Sequence, residues 1–283
     1  MNPTMVAVRA GWRRGLIELR QLFTNGEDLF GQLFWPVVLL VVLLFIRHGT
    51  FGGTGLHLGT LILPSLLGMN MVFYGMTTVA ALLTVEREDG TLLRAKAIPN
   101  GMLGYLVGKT VTVTCSLLIS LLILLVPGSF MIDGLELNSV GAWLTLLWVV
   151  LLGLAAMLPI GAAFGSLFTS PRSLGFMMFP IFGLIAISGI FYPITALPGW
   201  LQWIGQVFPI YWLGLGMRSA LLPDSAVVAE IGESWRHWET VAALGVWAII
   251  GLALAPVLLR RMARRESGSR VAERMEKAMR RVR

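Results

Sequence analysis

Tyr192-Pro-Ile-Thr-Ala-Leu-Pro-Gly-Trp200-Leu-Gln-Trp-Ile-Gly-Gln-Val-Phe-Pro-Ile-Tyr-Trp-Leu-Gly-Leu-Gly-Met217 decides how this chain is threaded. A hydropathy window counts the stretch as one more membrane crossing. Three features speak against that. Pro193, Pro198 and Pro209 interrupt it, and Trp200, Trp203, Tyr211 and Trp212 are side chains that prefer the headgroup level. A crossing at 199–217 would also turn the last apolar stretch outward and put the ten basic residues after position 259 outside the cell. Irregular backbone is tolerated at membrane depth only where protein or water covers it. The stretch therefore reads as a re-entrant or interfacial helical hairpin on the outer side.

With that segment removed from the count, six long apolar stretches divide the 283 residues. Nineteen of the 22 Lys and Arg lie in alternate gaps: before the first stretch, at 87–109, at Arg172 and after position 259. Only Arg47, Arg218 and Arg236 lie on the other side. Lys and Arg are retained on the cytoplasmic side of membrane proteins, so the asymmetry predicts six crossings with both termini inside. Hydrophobic residues make up 56% and charged residues 13%, against about a quarter charged in a soluble domain. The runs 110–132, 137–171 and 173–217 carry no Asp, Glu, Lys, Arg or His except Arg172 between the last two, and each exceeds the roughly 20 residues that a spanning helix needs. The basic balance, +7, sits at helix ends and in a tail and is not interleaved with exposed aromatics, so membrane orientation explains it and a nucleic-acid partner is not expected. A lone Cys115 excludes an internal disulfide framework and a thiolate metal cage. The first 28 residues lack the uninterrupted apolar core of a cleavable signal peptide.

The fold class is all-α, a polytopic membrane protein in three parts: a cytoplasmic N-terminal interfacial helix in 1–28, a six-span domain at 29–262 and a basic cytoplasmic tail at 263–283. Val8, Trp12, Leu16, Leu19 and Phe23 recur at helical spacing over 8–23, with Arg9, Arg13 and Arg20 on the other face, the pattern of a helix lying on a membrane. Thr24, Asn25 and Gly26 break it. The spans are predicted at 29–46, 58–85, 102–126, 140–168, 174–191 and 240–259. Pro127-Gly128 is expected to end the third, Pro159 to bend the fourth, and Thr169-Ser-Pro-Arg172 to form a tight inner turn. Gly68, Asn70, Tyr74, Thr77 and Thr78 are expected to face other helices. In the tail Val271, Met275, Met279 and Val282 mark a helical stripe beside anionic lipid.

The inner loop between spans two and three reads Val85-Glu86-Arg87-Glu88-Asp89-Gly90-Thr91-Leu-Leu-Arg94-Ala-Lys-Ala-Ile-Pro99. Glu86, Glu88 and Asp89 are predicted to crowd one helix start, with Arg94 and Lys96 at its end, an order that suits the helix dipole. A charged, capped helix between two spans is suited to docking in a groove of a cytosolic protein; the plainer role is to cap the membrane end. The sequence Glu86-Arg87-Glu88-Asp89-Gly90-Thr91, followed by Ile98-Pro99 and Gly108-Lys109, resembles the loop of type-2 ABC transporter permeases. The series Ser188-Gly-Ile-Phe-Tyr192-Pro193, Leu197-Pro198-Gly-Trp200, Phe208-Pro209-Ile-Tyr211 and Arg218 is similar to the stretch between spans five and six of that family, within which daunorubicin-type drug exporters are the nearest subgroup. The resemblance implies a coupling helix over Glu86–Ile98, with Glu86, Arg87, Glu88, Asp89, Gly90, Thr91 and Arg94 engaging a separate cytosolic ABC ATPase. It implies an outer hairpin built on Tyr192, Pro193, Pro198, Trp200 and Pro209. It further implies a bacterial cytoplasmic membrane, two like or unlike permeases with a path between them lined by spans one, two and five, and ATP with Mg on the ATPase alone. A hydrophobic or amphipathic cargo such as a drug, lipid or glycan-linked lipid is expected.

Gly104-Tyr-Leu-Val-Gly108-Lys109-Thr110 nearly spells a phosphate-binding loop, but it has three residues between its glycines where that loop needs four, and it enters a membrane helix. Gly104 and Gly108 instead predict close helix contact, with Lys109 anchoring at the interface. His48, His57 and His237 lack metal-ligand spacing, and no catalytic constellation is visible. An ion-coupled secondary transporter would need buried carboxylates or lysines forming a proton relay within its spans, and the sequence suggests none, Lys109 being placed at the interface. A non-transporting assembly protein is excluded by the two landmark motifs alone, not by composition.

Overall fold

A computed structural model describes residues 2–47, 58–168 and 174–265. Among them 86% are helical and none is in a strand. The first helix, α1, is Pro3–Thr24; Asn2 accepts from the Thr4 N–H at 3.1 Å, and Pro3 takes the first position, where no N–H is needed. Asn25 (φ −98°, ψ 120°) ends α1, and its side chain caps α2, Gly26–Ile46, so the predicted break at 24–26 is one shared residue. Helix α3 is Gly59–Glu88, interrupted by a π-helical turn at Tyr74–Thr78. A short α4, Thr91–Lys96, leads to α5, Gly101–Met131, and then to α6, Val140–Leu167. After these come α7, Gly175–Ala186, α8, Gly199–Val207, α9, Pro209–Leu221, and α10, His237–Arg265.

Five helices, α2, α3, α5, α6 and α10, are long and apolar enough to cross a membrane. Two predicted boundaries move. Pro127 does not end the third span, because Gly128 packs so closely on α3 that a Cβ there would lie 2.6 Å from Leu63 Cδ1, and the helix continues to Met131. The fifth predicted span, 174–191, yields only the twelve-residue α7, about 18 Å long against a hydrocarbon core of about 30 Å. Its apolar run continues, but Gly189 (φ +69°) turns the chain under Ile194, where a Cβ would lie 2.9 Å from the Ile194 Cβ. The outer loop at 48–57, the turn at 169–173 and the tail beyond 265 lie outside the described residues.

The core is organised around α9. Twelve of its thirteen residues are buried, packed by α3 and α6 with α10 alongside. Backbone meets backbone at Gly68, where a Cβ would lie 2.9 Å from Gly214 N. Gly68 and Asn70 face other helices, as their size and polarity predicted. The interior polar groups are mostly neutral. Gln32 on α2 donates to Ser116 O at 2.8 Å and accepts from Tyr74 Oη, and Asn70 pairs with Ser120 Oγ at 2.9 Å.

Candidate functional site

The residues of the inner loop divide between two helices. Glu86, Arg87 and Glu88 form the last turn of α3, and the corner lies at Asp89 and Gly90 (φ +77°). This corrects the expectation that the three acids crowd the start of the loop helix. Only Asp89 acts there, its carboxylate accepting from the Thr91 N–H at 2.8 Å. Arg94 folds back to Thr91 Oγ1 (2.8 Å) and Asp89 O (3.3 Å), clamping the corner. Leu92 and Ala95 of α4 are buried with Leu83, Tyr105, Leu259 and Met262, while Arg94, Lys96 and Ile98 stay exposed. So α4 is seated on one side and bare on the other.

Glu86 sits at a helix C-terminus, where negative charge is unfavourable, and it is only 8% exposed. Its neighbours compensate. Tyr105 Oη donates to Glu86 Oε2 at 2.5 Å, and Lys109 Nζ lies 2.5 Å from Glu86 Oε1. Lys109 also reaches Glu18 of α1 at 2.7 Å, and Arg14 closes the ring, 2.8 Å from Glu18 and 3.9 Å from Glu86, with its guanidinium over the Tyr105 ring. Two acids and two bases thus join α1, α3 and α5. Burial pushes the Glu18 carboxyl up, but hydrogen bonds from Lys109 and Arg14 outweigh it and hold Glu18 below its usual range. Arg87 leaves the ring and donates to Phe168 O at 3.1 Å, tying α3 to the end of α6.

Helix α1 reaches this ring along a glycine seam. Ala7, Gly11 and Gly15 meet Gly104, Gly108 and Val111 in rising order, so α1 runs beside the first turns of α5 in the same direction. A Cβ on Gly15 would lie 2.6 Å from Gly108 O. The expectation for Gly104 and Gly108 holds, whereas Gly11 and Gly15 went unread, although their four-residue spacing on a helix was a usable signal.

The motif at 188–218 occupies a second locus. Tyr192 Oη donates to Ala186 O, closing the turn after α7. Pro193 precedes a 3₁₀ turn at Ile194–Ala196, Pro198 precedes α8, and Pro209 opens α9. Trp200 and Trp203 on α8 are exposed. In the last turn of α9, buried Arg218 pairs with buried Glu230 at 2.6 Å and donates to Ser65 Oγ at 2.8 Å. Glu230 was missed because it lies in an irregular loop, with no periodicity to pair it with Arg218. Twenty-one residues of α3 separate Ser65 from Glu86, about 30 Å of helix, so the two loci stand apart by roughly the thickness of a bilayer core. Among the described residues no group of three or more His, Cys, Asp or Glu is placed to hold a metal.

Long apolar helices, a largely uncharged interior and a charge-locked loop at one end define a multi-pass helical membrane protein. The chain belongs to the ABC-2 transporter family: the family model described as "ABC-2 family transporter protein" matches residues 48–257. It is thus an ABC transporter permease, the membrane subunit of an assembly whose family normally pairs with an ATPase subunit. No curated protein matches it.

Proposed function

We propose that the chain is the membrane half of an ATP-driven exporter in a bacterial cytoplasmic membrane, with both termini inside. The sixth crossing is supplied at α7, and α8 with α9 forms a hairpin that re-enters from the outer side. A separate ATPase, holding ATP and Mg, docks at α4. Two permeases, like or unlike, enclose a path along α2, α3 and α7. Exposed Phe30 and Phe34 on α2, and Phe176, Phe179 and Phe182 on α7, suit a hydrophobic or amphipathic cargo of the kind that daunorubicin-type exporters carry.

The observation that carries this reading is the seating of α4. One side is packed against α3, α5 and α10, the other shows Arg94, Lys96 and Ile98, and the root is bound through Glu86 to α5 and to one further helix, α1. A push on such a helix moves the ends of the spans. Because Glu86 is internal to the protein, the exposed face is the proper place to test docking. Arg94→Glu with Ile98→Asp should abolish recovery of the ATPase and export at unchanged membrane levels, while Asp133→Ala with Glu136→Ala should leave both intact. Equal ATPase recovery from the two double variants would remove α4 from the coupling path.

A further inference from the structure

At the end of α3 remote from Glu86, one guanidinium fastens four segments. Arg218, in the last turn of α9, donates through Nη1 to Ser65 Oγ of α3 at 2.8 Å and to Gly189 O, in the turn after α7, at 3.4 Å. Its Nε donates at 2.6 Å to Glu230 Oε1, in the loop that joins α9 to α10. That loop is anchored at both ends. Ala226 and Trp235 are buried, and Trp235 Nε1 donates to Asp224 Oδ1 at 3.0 Å. Arg236 beyond them donates to Gln206 Oε1 at 2.7 Å and lies over the Trp212 ring. Between the anchors, two hydrogen bonds join 227–234 to other elements among the described residues. One is Arg218 to Glu230, and the other is Thr195 Oγ1 to Ala229 O at 3.5 Å. Leu61, Ile62, Ser65, Tyr192, Arg218 and Glu230 line a crevice here, whose free space of about 20 Å³ admits one water and no cargo.

We propose that residues 227–234 are a strap that closes the end of the cargo path and lifts to let cargo leave. The inference rests on the reading that α3 and α7 line that path, because Arg218 ties the end of one to the turn after the other. Two features keep the closed form from being a permanent one. The ion pair is buried but half made: among the described residues nothing donates to Glu230 Oε2, so the desolvation of the carboxylate is incompletely offset. The backbone beside it is strained. Three non-glycine residues of the described chain have positive φ, and two of them, Glu233 (+47°) and Arg236 (+48°), lie at this end of the loop. Lifting 227–234 gives Glu230 to water and lets Glu233 relax, while Ala226 and Trp235 hold the roots in place. A loop built for stability alone would gain from the opposite choices, an apolar pair in place of Arg218 and Glu230 and glycine at position 233.

In the purified full-length chain in detergent, on a Cys115→Ser background, Ile62→Cys should react slowly with a charged methanethiosulfonate reagent, since Ile62 is 3% exposed. Adding Glu230→Ala should raise that rate by about tenfold or more through local opening. Leu66→Cys, as deeply buried on α3 but outside the crevice lining, should stay slow in both backgrounds. Equal Ile62→Cys rates with and without Glu230→Ala overturn the proposal, as does an equal rise at Leu66→Cys, which would report general unfolding. Thr195→Cys with Ala229→Cys bridges the strap to the turn before α8 and leaves Arg218 and Glu230 untouched. In cells that also carry the ATPase, oxidising this pair should stop efflux of ethidium and a reductant should restore it, while the Cys115→Ser parent should be indifferent to both. Full efflux by the oxidised, bridged protein overturns the strap as a gate. Parent cells that move no ethidium, with Ile62→Cys still exposed by Glu230→Ala, would count against the exporter reading and for the strap.

Discussion

Glu18 shows how a single carboxylate couples acidity to the integrity of the end of the bundle that carries α4. Its ordinary pKa is 4.5, and in the folded protein it is held lower by Lys109 and Arg14. A depressed acid contributes stability that is complete above its unfolded pKa and lost as pH falls through the folded value. Parent protein should therefore melt higher than Glu18→Gln at pH 6, and the gap should close below about pH 4.5. A gap that did not narrow at all as the pH fell below 4.5 would mean that Glu18 acts by packing and not by charge. Glu86 is the residue for which sequence reading went furthest astray. Its charge was legible, and so was its place beside Gly90. What could not be read was the corner angle, which leaves Glu86 behind on α3 and within 2.5 Å of a lysine 23 positions away. Partners that far apart in sequence are set by how helices pack, and a linear pattern does not encode them.

Helices with uniform faces were easier to foresee than helices in contact. The basic and apolar sectors of α1 stood out by spacing, and the Asn25 break fell where the small polar residues put it. The seam did not, because Gly11 and Gly15 leave no mark in an apolar count. Gly15→Val should lift α1 from α5, since even a Cβ meets Gly108 O and Val111. It should therefore also break the Glu18–Lys109 pair. A thermal melt of the single variants Gly15→Val and Lys109→Met against the double should show strong non-additivity, the double being little worse than either alone. Simple addition of the two losses would mean that seam and ion pair are independent. Helix α7 was overestimated for a similar reason. Ile187, Ile190 and Phe191 are as apolar as the helix before them, so hydropathy alone could not see the turn at Gly189.

The molecule as a whole is a bundle wrapped on α9 with charge locked at both ends of α3. Charge asymmetry, not span length, carries the orientation, and it yields a direct test. In a Cys115→Ser background, Glu136→Cys and Asp224→Cys should react with an impermeant thiol reagent applied to intact cells, and Ala97→Cys should not. Labelling of Ala97→Cys from outside would invert the arrangement. The π-helical turn at Tyr74–Thr78 has its effect at this level too. It inserts one residue between two lengths of α3 and so offsets their phase. Asn70 and Ser65 are indexed to Ser120 and Arg218 by one register, and Glu86 is indexed to Lys109 by another. Deleting Thr77 would restore uninterrupted α-helix and rotate Val79–Glu88 by about 100°. Hydropathy, length and charge count would hardly change, yet Glu86 and Arg87 would swing away from Lys109 and Phe168 together. Such a deletion should insert normally into the membrane and fail in transport, whereas replacing Thr77 by Val, which keeps the count, should be tolerated. The surplus residue thus works as a vernier between the two ends of one helix.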